Sequence, residues 1–118
     1  MKEINYSEID VEVRELCKAL NQIHGINTVE SCFGHGEDNI YIWLKCYSIE
    51  LLNHFMWAMC HRWANISCRP DSDWTIQINN ADTDRDANFL SLLLIGKNGL
   101  TQKDCDKLAS QITKWVEK

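Results

Sequence analysis

Ile40-Tyr41-Ile42-Trp43-Leu44-Lys45-Cys46 is the stretch that decides the fold. Ile40, Ile42, Leu44 and Cys46 line one face of it, aliphatic throughout, while Tyr41, Trp43 and Lys45 make the other face aromatic and basic. A period of two with one apolar face marks a strand that lies on a core. Directly afterwards the period changes. Ser48 is a good helix N-cap, and Ile49, Leu52, Phe55, Met56, Met59 and Trp63 recur at helical spacing, which predicts a helix reaching about Ala64.

Working outward, Ser7 and Asp10 have the spacing of a capping box, with Asp in the usual Glu position. Ile9, Val13, Leu16, Leu20 and Ile23 then form one helical stripe with Cys17 beside it, so a first helix is expected from about Glu8 to His24, ended by Gly25. A short and unusually polar strand, Ile26 to Cys32, follows, and a glycine-rich loop from Phe33 to Asn39 joins it to the strand quoted above. Beyond the second helix, Pro70 lies in a connection. Trp74, Ile76 and Ile78 alternate with Thr75, Gln77 and Asn79 as a half-buried third strand, and a polar loop runs from Asn80 to Asp86. Phe89 to Ile95 is apolar at nearly every position, which predicts a fourth strand covered on both faces. After an Asn98-Gly99 turn, Thr101 and Asp104 cap a last helix, with Leu100 and Cys105 placed for a hydrophobic staple and Cys105, Leu108, Ile112 and Val116 facing inward.

The order α-β-β-α-β-β-α, without repeat or linker, predicts an α+β fold of one domain over residues 1–118. In this two-layer α/β arrangement, helices pack on a four-stranded, mostly antiparallel sheet with one crossover through the second helix. Such a sheet is about 19 Å wide and takes roughly two helices per face, so the third helix, or a partner, is expected on an edge or the far face. At 118 residues with 45% hydrophobic and 25% charged side chains, the chain is an ordinary globular one and neither disordered nor fibrous. The apolar run Leu92 to Ile95 is too short to span a bilayer. Seventeen acids against twelve bases give a net charge of −5, which argues against a nonspecific nucleic-acid or anionic-membrane binder. No apolar leader follows Met1, so the expected location is cytoplasmic. Cys17, Cys32, Cys46, Cys60, Cys68 and Cys105 are scattered without a CxxC pair, which reads as free thiols in a reducing compartment.

Glu30-Ser31-Cys32-Phe33-Gly34-His35-Gly36 is the segment richest in chemistry. Glycines let backbone N–H groups approach a ligand and turn through positive φ, and successive N–H groups can form an anion nest. Three functional readings are open. Cys32 is a nucleophile with His35 as its base; or the two form half of a metal site, for which no second C-x-x-H or C-x-x-C exists in the chain; or Glu30, Ser31, Cys32, Gly34, His35 and Gly36 cradle a small polar ligand, nucleotide- or cofactor-like. Against all three stands a plain strand connection with Cys32 packed and His35 in solvent.

Gly25-Ile26-Asn27-Thr28 with Ser31-Cys32-Phe33-Gly34-His35-Gly36, after a helix ending Leu20-Asn21-Gln22-Ile23, resembles small phage and bacterial proteins that carry a G-I-x-T-x-x-S-C-x-G-H stretch. More distantly it is similar to the S-x-S-C-S-G-R stretch of the tRNA wybutosine-synthesis methyltransferase family, in which that loop lies near a cofactor and substrate cleft. Ser31, Cys32 and Gly34 match; His35 stands in place of the arginine and Phe33 in place of a serine. The resemblance spans Leu20 to Leu44, and the later motifs of that family have no counterpart in this shorter chain. It implies a functional loop and transfers no methyltransferase activity.

Two surfaces offer partner sites. Tyr41, Trp43 and Lys45 lie on one strand face, to which Thr75, Gln77 and Asn79 add if the strands share it. Aromatics beside a lysine on an open sheet stack bases in RNA-binding proteins, but no arginine cluster backs them here, and packing under a helix or against a second subunit is the favoured account. His54, Trp57, Ala58 and His61 fall on the second helix opposite its apolar stripe, where a homodimer contact is favoured over a metal site. Asp82-Thr83-Asp84-Arg85-Asp86 lacks the glycine and the bidentate Glu of a calcium loop, so calcium is rejected. The reading that emerges is a small domain binding a polar ligand at Ser31–Gly36, self-associating, with no metal assigned and no cofactor named. The alternative is a non-catalytic homodimeric interaction protein using Trp57 and the Tyr41/Trp43 face.

Overall fold

A computed structural model describes residues 6–34, 38–61, 72–78 and 88–116, with the side chains of Cys60 and His61 left out. His35, Gly36, Trp63, Pro70, Cys68, Asn79 and the loop from Asn80 to Asp86 lie outside the described residues. A 3-10 turn (Tyr6–Glu8) precedes α1 (Val11–Asn21), β1 (Ile26–Cys32), β2 (Ile40–Cys46), α2 (Ile49–His61), β3 (Trp74–Ile78), β4 (Leu90–Gly96) and α3 (Gln102–Val116). The fold is α+β, in the order α-β-β-α-β-β-α that the periodicities predict. Its sheet is antiparallel throughout, with strands in the order β1-β2-β4-β3. β2 and β3 therefore run parallel with β4 between them, and α2 makes the crossover.

The aliphatic face of the sheet and the inner stripes of the helices form one core. Ile40, Ile42 and Leu44 of β2, Leu92 and Leu94 of β4 and Ile76 of β3 meet Val13, Leu16 and Leu20 of α1, Phe55 and Met59 of α2, and Leu108 and Ile112 of α3. The Phe55 and Trp115 rings meet at a 57° tilt with centroids 6.3 Å apart, joining α2 to α3. All three helices thus lie on one side. Among the described residues β4 is covered by helices on one face: Leu92 and Leu94 are buried in the core, whereas Leu93 and Ile95 on the far face are half-buried and take no part in it.

Helix ends follow their residues with one exception. Thr101 and Asp104 cap α3 reciprocally: the Thr101 N–H donates to Asp104 Oδ2 at 2.8 Å and the Asp104 N–H to Thr101 Oγ1 at 3.4 Å. Ser48 Oγ accepts the N–H of Leu51 at the start of α2. Gly25 leaves α1 at φ +89°, and a Cβ there would sit 2.9 Å from Leu51 Cδ2, so glycine serves both the turn and the approach of α2. The exception is α1, which starts at Val11 and ends at Asn21, inside the span expected from Glu8 to His24. Asp10 has an extended backbone (φ −48°, ψ 129°) and its side chain does not cap the helix. Asp10 rather than Ser7 thus stands at the N-cap of α1, and its carboxylate accepts the N–H of Phe33.

Asn21 closes the other end of α1. Its amide nitrogen donates to Cys17 O, Thr28 Oγ1 and Tyr6 Oη, and its oxygen accepts the N–H of Thr28 at 2.8 Å. One half-buried side chain thereby joins the 3-10 turn, α1 and β1.

Candidate functional site

The geometry of β1 turns on one extra residue. Thr28 pairs with Leu44 and Glu30 with Trp43, so Val29 is a β-bulge. Before the bulge, Ile26 and Thr28 face the helices; after it, Ser31 does, opposite Ile42. Glu30 and Cys32, which unbroken alternation would have aimed at the core, are delivered to the far face opposite Trp43 and Tyr41.

The expected ligand cradle is therefore split. Ser31 points inward, where its hydroxyl hydrogen-bonds Cys17; burial pushes that thiol's pKa up and Ser31 pulls it partly back. Glu30 and Cys32 lie on the opposite side of the sheet, so Glu30 and Ser31 do not converge. Two amides at the start of the loop are also occupied: the Phe33 N–H donates to Asp10 Oδ2 at 3.0 Å and the Gly34 N–H to Cys32 Sγ at 3.3 Å. Gly34 turns at φ +83°, as a strand-to-loop reversal requires. Asp38 donates its N–H back to Gly34 O, closing the loop. His35 and Gly36 lie outside the described residues, and with them the Cys32–His35 pairing.

What the bulge does bring together is a continuous far face. On β1 it carries Glu30 and Cys32; on β2, Tyr41, Trp43 and Lys45; on β4, Ser91, Leu93 and Ile95; on β3, Thr75 and Gln77. The Tyr41 hydroxyl donates to Glu30 Oε1 at 3.4 Å. Its pKa is raised, first by burial and then by the nearby Glu30 and Cys32. The Trp43 indole N–H donates to the hydroxyl of Ser91, a serine with no exposed surface. Lys45 Nζ lies 4.6 Å from the centroid of the Phe89 ring, which itself tilts against Tyr47. Alternation in the sequence places Tyr41 and Trp43 on one face, and the β2–β4 register adds Ser91, Leu93 and Ile95 to it.

On α2, His54 is exposed and Trp57 is 52% exposed, but Ala58 is fully buried and leaves the expected contact face. The inward arc of α2 is centred on Phe55, Ala58 and Met59, while Ile49, placed on the inner stripe by its spacing, is 79% exposed. A small residue at 58 lets the helix approach the core closely, and the helix has rotated toward it. His61 belongs to α2 by its backbone.

A cavity of about 50 Å³ lies beside the start of α3, lined by Trp74, Leu100, Asp104 and Lys107 among others. It has room for a water or two and is far below the ~300 Å³ at which pockets for organic ligands begin. Among the described residues, no three His, Cys, Asp or Glu side chains are grouped to hold a metal ion, and no helix is long and apolar enough to cross a membrane. Cys17, Cys32, Cys46 and Cys105 are free thiols. No family model, curated protein or solved structure matches the chain.

Proposed function

We infer that this chain is a non-catalytic binding module whose recognition surface is the far face of its sheet. One observation carries the reading: all three helices pack on the aliphatic face, leaving Tyr41, Trp43, Leu93 and Ile95 as a row that no described element covers. An apolar, aromatic centre with a polar rim (Glu30, Lys45, Thr75 and Gln77) is the anatomy of an interface core. Trp57 on the outside of α2 is the competing surface. The scattered free thiols fit a cytoplasmic setting.

Incorporating 5-fluorotryptophan and following fluorine NMR separates the two surfaces, with Trp43→Phe and Trp57→Phe assigning the resonances. The Trp43 resonance is expected to move when the chain is concentrated or given a short single-stranded RNA. A Trp57 resonance that moves while Trp43 stays fixed would transfer the function to α2.

A second reading keeps a small polar ligand at the end of β1, supported by Glu30, Cys32 and Tyr41 meeting just beyond the bulge. Native mass spectrometry of wild type beside Cys32→Ala tests it. Added mass lost in the variant favours a ligand, and bare masses in both samples remove this reading.

A further inference from the structure

We propose that the outer edge of β3 pairs with the same edge of a second copy of this chain, antiparallel, about a two-fold axis at Ile76. This does not depend on what the far face binds. The four-stranded sheet has two edges, β1 and β3, and they differ. The β1 edge is closed. Three N–H groups that turn away from β2 are taken within the chain: Ile26 donates to Ile23 O at 3.0 Å, Thr28 to Asn21 Oδ1 at 2.8 Å, and Phe33, at the end of the strand, to Asp10 Oδ2 at 3.0 Å. The bulge at Val29 also breaks the regularity of this edge.

The β3 edge is open. The Lys97 N–H donates to Asp73 O at 2.9 Å, which together with the register fixes the parity of the β3–β4 ladder. Thr75 and Gln77 bond to β4, whereas Trp74, Ile76 and Ile78 turn their N–H and C=O groups outward. Among the described residues nothing pairs with those outward groups. The strand also lacks the devices that protect an edge. Trp74-Thr75-Ile76-Gln77-Ile78 holds no charge and no proline, and its register with β4 is unbroken. At its end Ile78 is 63% exposed.

The contrast between the edges chooses the occupant. Because β1 is closed, the β3 edge of one copy has no strand edge to join on the β1 side of another, so head-to-tail growth is blocked. The self-complementary β3–β3 contact remains, and it closes on itself. The outward residues are evenly spaced about Ile76, so a two-fold there sets Trp74 opposite Ile78 of the other copy and Ile76 opposite itself. Every outward donor then meets an acceptor, giving about six hydrogen bonds between the copies. Exposed Ile78 comes to lie beside Trp74 of the other copy and Thr75 beside Gln77, so no like charges meet. A second copy presents its strand already extended, whereas a disordered peptide would lose chain entropy on binding. The product is one continuous sheet, with the helices of both copies on one side and the two far faces adjacent on the other. A single short strand buries much less than the ~1,200 Å² of a standard stable complex, so the dimer is concentration-dependent.

Sedimentation equilibrium from ~1 to ~500 µM covers the association expected of so small a contact. Wild type should dimerise within that range. Amide exchange, followed by NMR at ~20 and ~500 µM, should slow severalfold at Trp74, Ile76 and Ile78 on concentration, while Thr75 and Gln77, already bonded to β4, change little. The double variant Thr75→Lys, Gln77→Lys sets like charges opposite each other at both cross-copy pairs and should associate roughly tenfold more weakly. Mixing it with the double variant Thr75→Glu, Gln77→Glu should restore association, which a chain that had merely lost its fold could not do. A wild-type chain that stays monomeric, protection gained equally at all five residues, or a mixture no tighter than its parts overturns the proposal. Dimerisation that moves the Trp43 fluorine resonance and leaves the three outward amides unchanged belongs to the far face and equally overturns pairing at this edge.

Discussion

The carboxylate of Asp10 accepts the backbone N–H of Phe33 at 3.0 Å, tying the chain just ahead of α1 to the end of β1. This half-buried, charge-assisted bond replaces the cap that Asp10 would have made to its own helix. Asp10→Ala should lower stability by about 1–3 kcal/mol, read from the urea midpoint at unchanged m-value. Amide exchange at Phe33 should rise more than at Ile42. Equal protection of Phe33 in both proteins would show that the bond does not hold the loop.

Gly34 and Gly99 both have positive φ, but their surroundings differ. A Cβ on Gly34 would lie 3.0 Å from the backbone oxygen of Asn39, whereas one on Gly99 meets nothing within 4 Å. Gly99→Ala carries only the left-handed backbone strain, about 1–2 kcal/mol. Gly34→Ala adds a clash with backbone that cannot swing away, so it should be the more destabilising of the two in thermal melts. The reverse order would mean that the loop after Gly34 yields easily.

Burial pushes the Cys105 thiol up to about 12, with Asp106 and Asp104 adding to the effect, and also raises Cys17. Neutral buried thiols are poor nucleophiles. Iodoacetamide mapping should therefore find half-exposed Cys32 modified long before Cys17, Cys46 or Cys105. The linkage has a definite sign. Between pH 9.0, where the unfolded Cys105 ionises, and about 12, the native state holds the extra proton, so stability falls as pH rises through that window. Cys105→Ala should flatten this alkaline loss; an unchanged slope would assign it to other groups.

Asp104 behaves oppositely. Its carboxyl is held below the ordinary 3.8 chiefly by the Thr101 N–H and then by the Thr101 hydroxyl. A depressed acid stabilises above its unfolded pKa, and that contribution is lost as pH falls through the folded value. Asp104→Ala should reduce the steepness of acid unfolding below pH 3.8. Thr101→Ala, which keeps the backbone donor, should lower stability by about 1 kcal/mol yet leave the acid sensitivity largely in place.

Local patterns were legible and pairings were not. The limits of β1 and β2 match their residues, and β4 lies one position later than expected, at Leu90–Gly96. Alternation is written into each strand separately, as the caps at Ser48 and Thr101 are written into their helices. The bulge at Val29 depends on which residue of β2 stands opposite, and Glu30-Ser31-Cys32 read in isolation gives no sign of a parity change. Ala58 is equally at home on either side of a helix, so only contact with the core fixed the rotation of α2. The apolar run in β4 signalled two covered faces. The described residues supply one cover, and on the other face Leu93 and Ile95 are half-buried.

The strand order also constrains synthesis. β4 is made last and inserted between β2 and β3. As the chain leaves the ribosome, α1 and the β1–β2 pair can form early, yet the second edge of β2 keeps its N–H and C=O groups unpaired until Leu90–Gly96 emerges. β3, already made, has its ladder partner only in that same segment. While the segment between Ile78 and Leu90 is passing the mouth of the exit tunnel, the emerged chain therefore displays an open β2 edge beside an unpaired strand, and a chaperone has most to shield at that moment.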